Sequence, residues 1–287
     1  MNTNKSKETI TEISISELRP FKGHPYRVVD DDEMDRLVES IEEHGVMTPI
    51  NVRPIEGGYE VISGHRRIHA AKRAGLTTIP AIEMNMTRDQ AAVALVDSNL
   101  HRERLLPSEK AFAYKLKLEA LSRQGKRTDL TSTQLVEKSL SAEKVGADAN
   151  ESRETVRRYI RLTQLIPPLL RMVDEERIAF TPAVELSYLT QEEQEMLFTE
   201  IGVTLATPSL SQACRLKKLS GDGKLDEDAI AEIMAEEKPN QKEKVSVPLS
   251  ALKGKVPDSY TDKQLQDYVI KAVDHYHRYL MRQREVR

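Results

Sequence analysis

The sequence predicts an α+β unit at the start of the chain, an all-helical unit after it, and a small strand–helix segment at the end. Three observations predict this. Up to Met84, short apolar runs broken by Gly and Pro alternate with helical stripes; from Thr87 the apolar spacing is almost wholly helical; and a polar stretch near Ser220–Asn240 precedes a segment that restarts with Val245 and Val247. A length of 287 residues suits two or three domains.

The elements follow in order. Residues 1–11 are expected to form a mobile tail. Ile13, Ile15 and Leu18 alternate with Ser14 and Ser16, a strand signature, and Pro20, Gly23 and Pro25 make Leu18–Val29 a loop. Asp30–Asp32 supply an N-cap for a helix with Met34, Leu37, Val38 and Ile41 on its apolar face, closed by Gly45. Ile50–Arg53 and Tyr59–Ile62 flank Gly57-Gly58 as a hairpin, Ser63-Gly64 break the second strand, a helix runs from about Arg66 to Arg73, and Ile79–Ile82 is another strand. This gives an α+β domain over residues 12–104.

A helical domain is expected over 105–219. Ala91, Ala92, Leu95 and Val96 already form one stripe ahead of it. Pro107-Ser108 start a helix with Ala111, Tyr114, Leu118 and Leu121 on one face. Ala142–Gly146 and Ser152–Leu165 read as helix, turn, helix, the second stopped by Pro167-Pro168; the residues Ala147–Asn150 look inserted between them. Leu169–Val173, Pro182–Leu189, Gln191–Leu197 and Ser209–Leu219 continue the pattern. Residues 220–243 read as a linker around a helix near Asp226–Glu237. Residues 244–287 end in a helix from about Asp262 with an apolar stripe from Leu265 to Leu280.

Composition narrows the function. Charged residues make up 31% and hydrophobic ones 39%, with 5% aromatics and no Trp, which fits small helical domains better than one large sandwich or barrel. The one cysteine, Cys214, cannot form an internal disulfide and has no CxxC partner. No apolar run approaches the roughly 18 residues of a membrane span, and Met1–Lys7 lack the apolar core of a signal peptide, so a cytoplasmic protein without a membrane partner is expected. The seven histidines show no metal-ligand spacing; His65 and His69 stand four apart without a third ligand. A net charge of −3 excludes a wholly basic nucleic-acid coat but not a local DNA reader.

Two motifs carry chemistry. Gly64-His65-Arg66-Arg67 stands at a strand end and opens a helix. Unpaired backbone N–H groups, a residue without Cβ and two guanidiniums suit phosphate oxygens there. Taken alone, the tetrapeptide reads more readily as a solvated basic first turn. In the second motif, the helix from Ser152 presents Ser152, Arg153, Thr155, Arg157, Arg158 and Arg161 outward, with Val156, Ile160 and Leu162 inward. That is the pattern of a recognition helix, its first residues at base edges and its later arginines on phosphates.

The run Glu60–Gly75 with Ile79-Pro80-Ala81-Ile82, the stretch Leu37–Arg53, and Asp97-Ser98-Asn99-Leu100 through Ala111 occur in one order that resembles the ParB partition family, over roughly residues 12–190. The resemblance implies a ParB/sulfiredoxin-like N-terminal domain followed by a helix-turn-helix domain, of a plasmid or mobile-element type. It implies a CTP pocket in which Gly64, His65, Arg66 and Arg67 form the phosphate turn, Arg27 and Thr48 face the nucleotide, Ser98, Asn99 and Arg102 are further nucleotide-binding residues, and Asn99 helps hold magnesium. It implies a homodimer on double-stranded DNA and a ParA-type ATPase partner, although no basic Leu-Gly-Arg-Gly type peptide is visible in Met1–Thr11. Many members carry Glu where this chain has His65 and Ser98. Neutral side chains are poor magnesium ligands, so slow CTP hydrolysis or altered metal dependence is expected, and no catalytic residue is assigned. A regulator or nucleoid-associated protein is the alternative function. An enzyme on the same fold is disfavoured, because no base–nucleophile pair is evident and sulfiredoxin's catalytic cysteine has no counterpart beside His65.

Overall fold

The computed structural model describes residues 9–100, 102, 105–128, 142–236 and 262–285. The chain divides into two units, Met1–Glu236 and Glu237–Arg287.

The first unit opens with five strands, β1 (Ile10–Ser14), β2 (Leu18–Pro20), β3 (Ile50–Ile55), β4 (Gly58–Ser63) and β5 (Thr78–Glu83), in the order β1-β5-β3-β4-β2. β3 and β4 form the expected hairpin, antiparallel, with Gly57 and Gly58 both at positive φ in its turn. β5 returns parallel to β3, and β2 lies parallel to β4. The strand expected through Ile13 and Leu18 is broken by a 3-10 turn at Ile15–Glu17. Its two halves occupy opposite edges of the sheet. Four residue steps reach at most about 14 Å, and four strand spacings in a flat sheet amount to about 19 Å, so the sheet curls back on itself.

Three helices complete the domain: α1 (Asp32–His44), α2 (His65–Arg73) and α3 (Arg88–Asp97). Asp31 caps α1 by accepting from the Met34 N–H, and Gly45 ends it at φ 69°. Thr87 and Gln90 form a reciprocal capping box on α3. Alternation along β4 sends Val61 to one side, with Ile13, Ile50, Val52 and Ile79 under Ile68 and Ala71 of α2. Ile62 faces the other way, with Phe21 and Tyr26, into Ala91, Ala92, Leu95 and Val96 of α3. α1 packs on α2 through Met34, Val38, Ile41 and Ala70.

α4 (Pro107–Thr128) is shared rather than the start of a separate body. Ala113 and Ala120 belong to the α3 cluster, Ala111 to the helical core, and Tyr114 packs with Val145 and Val156. The boundary expected at 104/105 therefore falls inside one packed unit. A helix over 142–148, α5, is followed by α6 (Arg153–Leu162). The insertion expected between them is corrected: residues 147 and 148 finish α5, and Ala149–Ser152 make a four-residue turn. Gly146 permits it, because a Cβ there would lie 2.6 Å from the Glu151 carbonyl oxygen.

The remaining helices are α7 (Pro167–Asp174), α8 (Phe180–Leu186), α9 (Gln191–Thr204), α10 (Leu210–Gly221) and α11 (Glu227–Ala235). Pro167 both ends the preceding run and begins α7, where its missing N–H costs nothing. The linker expected over 220–243 is corrected in its first half. α10 runs to Gly221, and Leu225, Ile230, Ile233 and Met234 are buried in the same core as Leu162, Leu169 and Leu216. The Gln212 side chain donates to the Ile233 carbonyl at 2.7 Å and ties α11 to α10. The acidic outer face of α11 hides this apolar one in the sequence.

In the second unit α12 (Asp262–Glu285) forms as expected, with Val273 and Tyr276 exposed along it. The strand expected at Val245 and Val247 lies outside the described residues.

Candidate functional site

The site is built on the turn between β4 and α2. Gly64 adopts φ 104°, ψ 19°, and a Cβ there would lie 2.5 Å from Cγ2 of buried Ile50. Only glycine lets α2 start so close to β3. No side chain caps this helix, so its first N–H groups are left for solvent or a ligand.

In front of the turn is a cavity of about 290 Å³. Its wall comes from the loop after β2 (His24, Tyr26, Arg27, Val28), from Ser63 to Arg67, and from Ser98, Asn99 and Arg102 beyond α3. Four arginines and two histidines face it, and none of its lining residues is a carboxylate.

Each arginine is held differently. Arg67 donates from Nη1 to the carbonyls of Thr48 and Pro49, both at 2.6 Å, and its burial lowers its affinity for the proton. Arg66 pairs with Glu33 at 3.2 Å and stands 3.7 Å from Asp31, both at the start of α1. The Arg27 backbone N–H donates to Glu109 at 2.8 Å, and its guanidinium reaches Asp174 at 3.2 Å. Arg102 donates its N–H to the Asn99 carbonyl at 3.2 Å, closing the turn that places it on the wall.

His24 and His65 stack with ring centroids 3.8 Å apart. Burial, then the positive potential of His24 and Arg102, pushes the His65 ring down to about 3. Burial also lowers His24, with Arg102 adding to it against a backbone hydrogen bond to Tyr26. Both rings are neutral near pH 7. The His65 Nε2 is buried and has no hydrogen-bond partner, an uncommon condition for a polar atom in a folded protein.

Ser98 donates its hydroxyl to the Leu95 carbonyl at 2.9 Å. Asn99 Nδ2 donates to the same carbonyl and to Ser98 Oγ, so Oδ1 is the atom this side chain offers a cation. One neutral oxygen without a carboxylate is a weak magnesium ligand by itself. Among the described residues no cluster of three or more His, Cys, Asp or Glu is arranged to hold a metal ion.

The cavity thus gathers Arg27, Gly64, His65, Arg66, Arg67, Ser98, Asn99 and Arg102 from three separate stretches. Thr48 is not on its wall; it serves through its carbonyl, which fixes Arg67. Sequence reasoning missed His24, Tyr26, Val28 and Ser63. The available signal for His24 was its place between Gly23 and Pro25, three residues from Arg27.

A second group of sequence-predicted residues lies on α6. Ser152 caps the helix, accepting from the Thr155 N–H at 3.0 Å, with the two hydroxyls 2.8 Å apart. Arg153 and Arg157 are exposed. The outward orientation expected for Arg158 and Arg161 is corrected. Arg158 donates to the Thr181 hydroxyl at 3.0 Å and lies over the Phe180 ring. Arg161 donates to Ser187 Oγ and its carbonyl and lies 4.0 Å from the Tyr188 ring centroid. Their long apolar stems let them turn back onto α8 while helical position alone points them outward.

Residues 1–100 match the family model of the ParB N-terminal domain. A probable chromosome-partitioning protein ParB of Vibrio cholerae is 30% identical over 260 residues, covering 84% of this chain and 82% of that protein. Stage 0 sporulation protein J of Bacillus subtilis is 35% identical over 170 residues, covering 59% of this chain and 54% of that protein. The match spans 64% of the chromosome-partitioning protein Spo0J of Thermus thermophilus, so several curated relatives are covered over only about half to two thirds of their length. Among solved structures, a C-terminally truncated ParB from Caulobacter crescentus complexed with CTP-gamma-S is 26% identical, with a TM-score of 0.31, 62% of this chain and 92% of that one being covered.

Proposed function

The chain belongs to the ParB partition family, and from that premise we propose that it is a sequence-specific DNA-binding partition protein whose cavity at Gly64 takes CTP. The observation that carries the nucleotide half is the cavity wall of four arginines and two neutral imidazoles without a carboxylate, at the uncapped start of α2. A triphosphate suits it: guanidinium forks match pairs of phosphate oxygens, and the helix terminus adds backbone donors. Arg66 and Arg67 serve from α2, Arg27 and Arg102 from the facing side. Asn99 is at most a single neutral ligand to magnesium, so the ion would be held chiefly by the phosphates. With no lining carboxylate to orient a water, CTP hydrolysis is slow.

The DNA half is the helix-turn-helix reading of α5 and α6. Ser152, Arg153 and Thr155 stand at the helix start, where base edges are read, and Arg157 faces outward for phosphate. Arg158 and Arg161 act indirectly, by fixing α6 against α8. A homodimer through the last segment would present two such helices to a palindromic, centromere-like site. Nucleotide binding would close the N-terminal domains into a clamp on nucleoid DNA, with a ParA-type ATPase as partner. Relatives named for chromosome partitioning support this half.

The test is calorimetric titration with CTP, ATP, GTP and UTP, with and without genomic DNA, followed by genome-wide DNA enrichment. Selective CTP binding that is lost in Arg66→Ala, together with a broad enrichment peak that narrows in the same variant, is the expected result. No affinity for CTP under either condition would reduce the chain to a DNA-binding factor without a nucleotide clamp.

A further inference from the structure

We propose that His24 and His65 form one proton-accepting pair that responds to the ligand's phosphates, with His24 as an additional specificity-determining residue, so that the cavity takes up a proton as the anion enters. This rests on the reading of the cavity as a triphosphate site.

The geometry carries it. The two rings are 3.8 Å apart and tilted by 40°, one on the loop that brings Arg27, the other the first residue of α2. Both face the same cavity. His65 Nε2 is buried without a hydrogen-bond partner. An imidazole nitrogen left unpaired in this way can accept a proton or a hydrogen bond once its surroundings favour it.

The surroundings set the sign. Arg27 on the loop, Arg66 and Arg67 on α2, and Arg102 after α3 place positive charge around the pair. Tyr26 stands edge-on to His24 at 5.6 Å. The nearby carboxylates are engaged elsewhere. Asp31 and Glu33 of α1 face Arg66, Glu109 of α4 accepts from the Arg27 and Leu106 N–H groups, and Asp97 of α3 pairs with Lys117. His69 and Lys72 lie across an apolar recess that His65 also lines, and His69 is bonded to Asp30. Around the pair only the backbone hydrogen bond between His24 and Tyr26 favours an imidazolium, and burial outweighs it. A polyphosphate reverses the local field, and a protonated ring becomes a charge-assisted donor to it. Two rings in contact cannot both carry charge cheaply, so the pair shares one proton. A carboxylate at position 65 would repel phosphate and need a metal ion between them. The imidazole pair supplies its own cation.

The experiment uses the full chain, CTP and a metal chelator between pH 6 and 8, with calorimetry in buffers of different ionisation enthalpy. Wild type is expected to take up a fraction of a proton beyond that of the nucleotide itself, a fraction that grows as pH falls toward 6, and to bind several-fold tighter per unit fall in pH. His65→Gln removes that slope, and His24→Phe, which keeps a ring in the stack, removes most of it. Imidazole NMR titration of wild type, independent of any variant's folding, should show the midpoint of the pair rising when CTP is added. CTP binding with no extra proton uptake, or with midpoints that do not move, overturns the pair and leaves the triphosphate reading standing. Absence of CTP binding at every pH overturns both.

Discussion

The Arg27 guanidinium meets the Asp174 carboxylate at 3.2 Å, joining the loop that lines the cavity to the end of α7. Asp174 does more than pair. It accepts from the Ser108 N–H at 2.9 Å and the Ser108 hydroxyl at 2.7 Å, and so caps α4 from a distant helix. Its side chain is 5% exposed and that of Arg27 is 57% exposed. The two partners should therefore differ sharply. Asp174→Ala leaves a helix-start donor and a buried hydroxyl unmet and should cost about 2–3 kcal/mol in urea unfolding. Arg27→Ala removes a solvent-screened pair and should cost under about 1 kcal/mol, while still weakening CTP binding. Equal losses of stability would refute this division of roles.

Lys117 yields a second prediction. Its side chain is fully buried, and its ammonium pairs with Asp97 at the end of α3 and, at 2.6 Å, with Asp148 of α5. Both carboxylates remain partly exposed, so either can lose its partner and be solvated. The ammonium cannot. Asp97→Ala or Asp148→Ala alone should be mild, and the double variant should cost about 3–5 kcal/mol because it strands a buried charge. Adding Lys117→Met, whose unbranched chain fills similar space, should restore much of that loss. Additive single effects in denaturant titrations would contradict it.

Gly64 and Gly75 both have positive φ, but only one is crowded. A Cβ at Gly75 meets nothing within 4 Å, whereas at Gly64 it runs into Ile50. Gly75→Ala should cost about 1 kcal/mol from backbone strain alone. Gly64→Ala must also displace a buried side chain or the start of α2, so it should cost at least twice as much and abolish CTP binding. Thermal melts and nucleotide titrations of the two variants side by side decide the point.

These comparisons also mark what could be read from the chain. Asp31, Gly45, the Gly57-Gly58 turn, Gly64 and Thr87 announce their elements, because caps and positive-φ turns are local chemistry written in one or two residues. The turn that opens α2 at Gly64 was legible for the same reason. The break in the first strand was not, since Ile13 and Ile15 satisfy strand alternation whether or not the chain bends between them. α11 was legible as a helix, but its packing into the core was hidden by the acidic residues around Ile230 and Ile233. His24 and Lys117 were missed because their roles depend on partners 41 and 31 residues away in sequence, which no local pattern reveals. The directions of Arg158 and Arg161 depended on α8, where Thr181 and Ser187 supply the acceptors.

Acid should destabilise the protein through the same histidines. The folded His65 ring is held near 3, against an ordinary value of 6.5. Below 6.5 the unfolded chain takes up a proton that the folded chain refuses. This stabilisation is therefore complete above pH 6.5 and is lost as pH falls toward 3. The slope is up to about 1.4 kcal/mol per pH unit, or about 2 kcal/mol between pH 6.5 and 5, and His24 adds in the same direction. Chemical denaturation at pH 7 and pH 5 should show that difference in wild type and a smaller one in His65→Gln. An unchanged difference would place the acid sensitivity elsewhere.

The arginines of α6 separate folding from DNA binding. Arg157 is exposed, while Arg158 and Arg161 each hold α8 by hydrogen bonds and by lying over an aromatic ring. Arg157→Ala should leave the melting curve unchanged, weaken DNA binding for all sequences alike, and reduce the slope of log affinity against log salt by about one charge. Arg158→Ala and Arg161→Ala should lower unfolding stability by roughly 1–2 kcal/mol each, because a cation–π contact and a hydrogen bond are lost together. Their effect on DNA should appear as a loss of sequence discrimination with little change in salt slope, since a loosened α6 mispositions Ser152, Arg153 and Thr155 without removing a phosphate contact. Anisotropy titrations over a salt series would overturn the assignment if Arg158→Ala or Arg161→Ala reduced the slope as Arg157→Ala does.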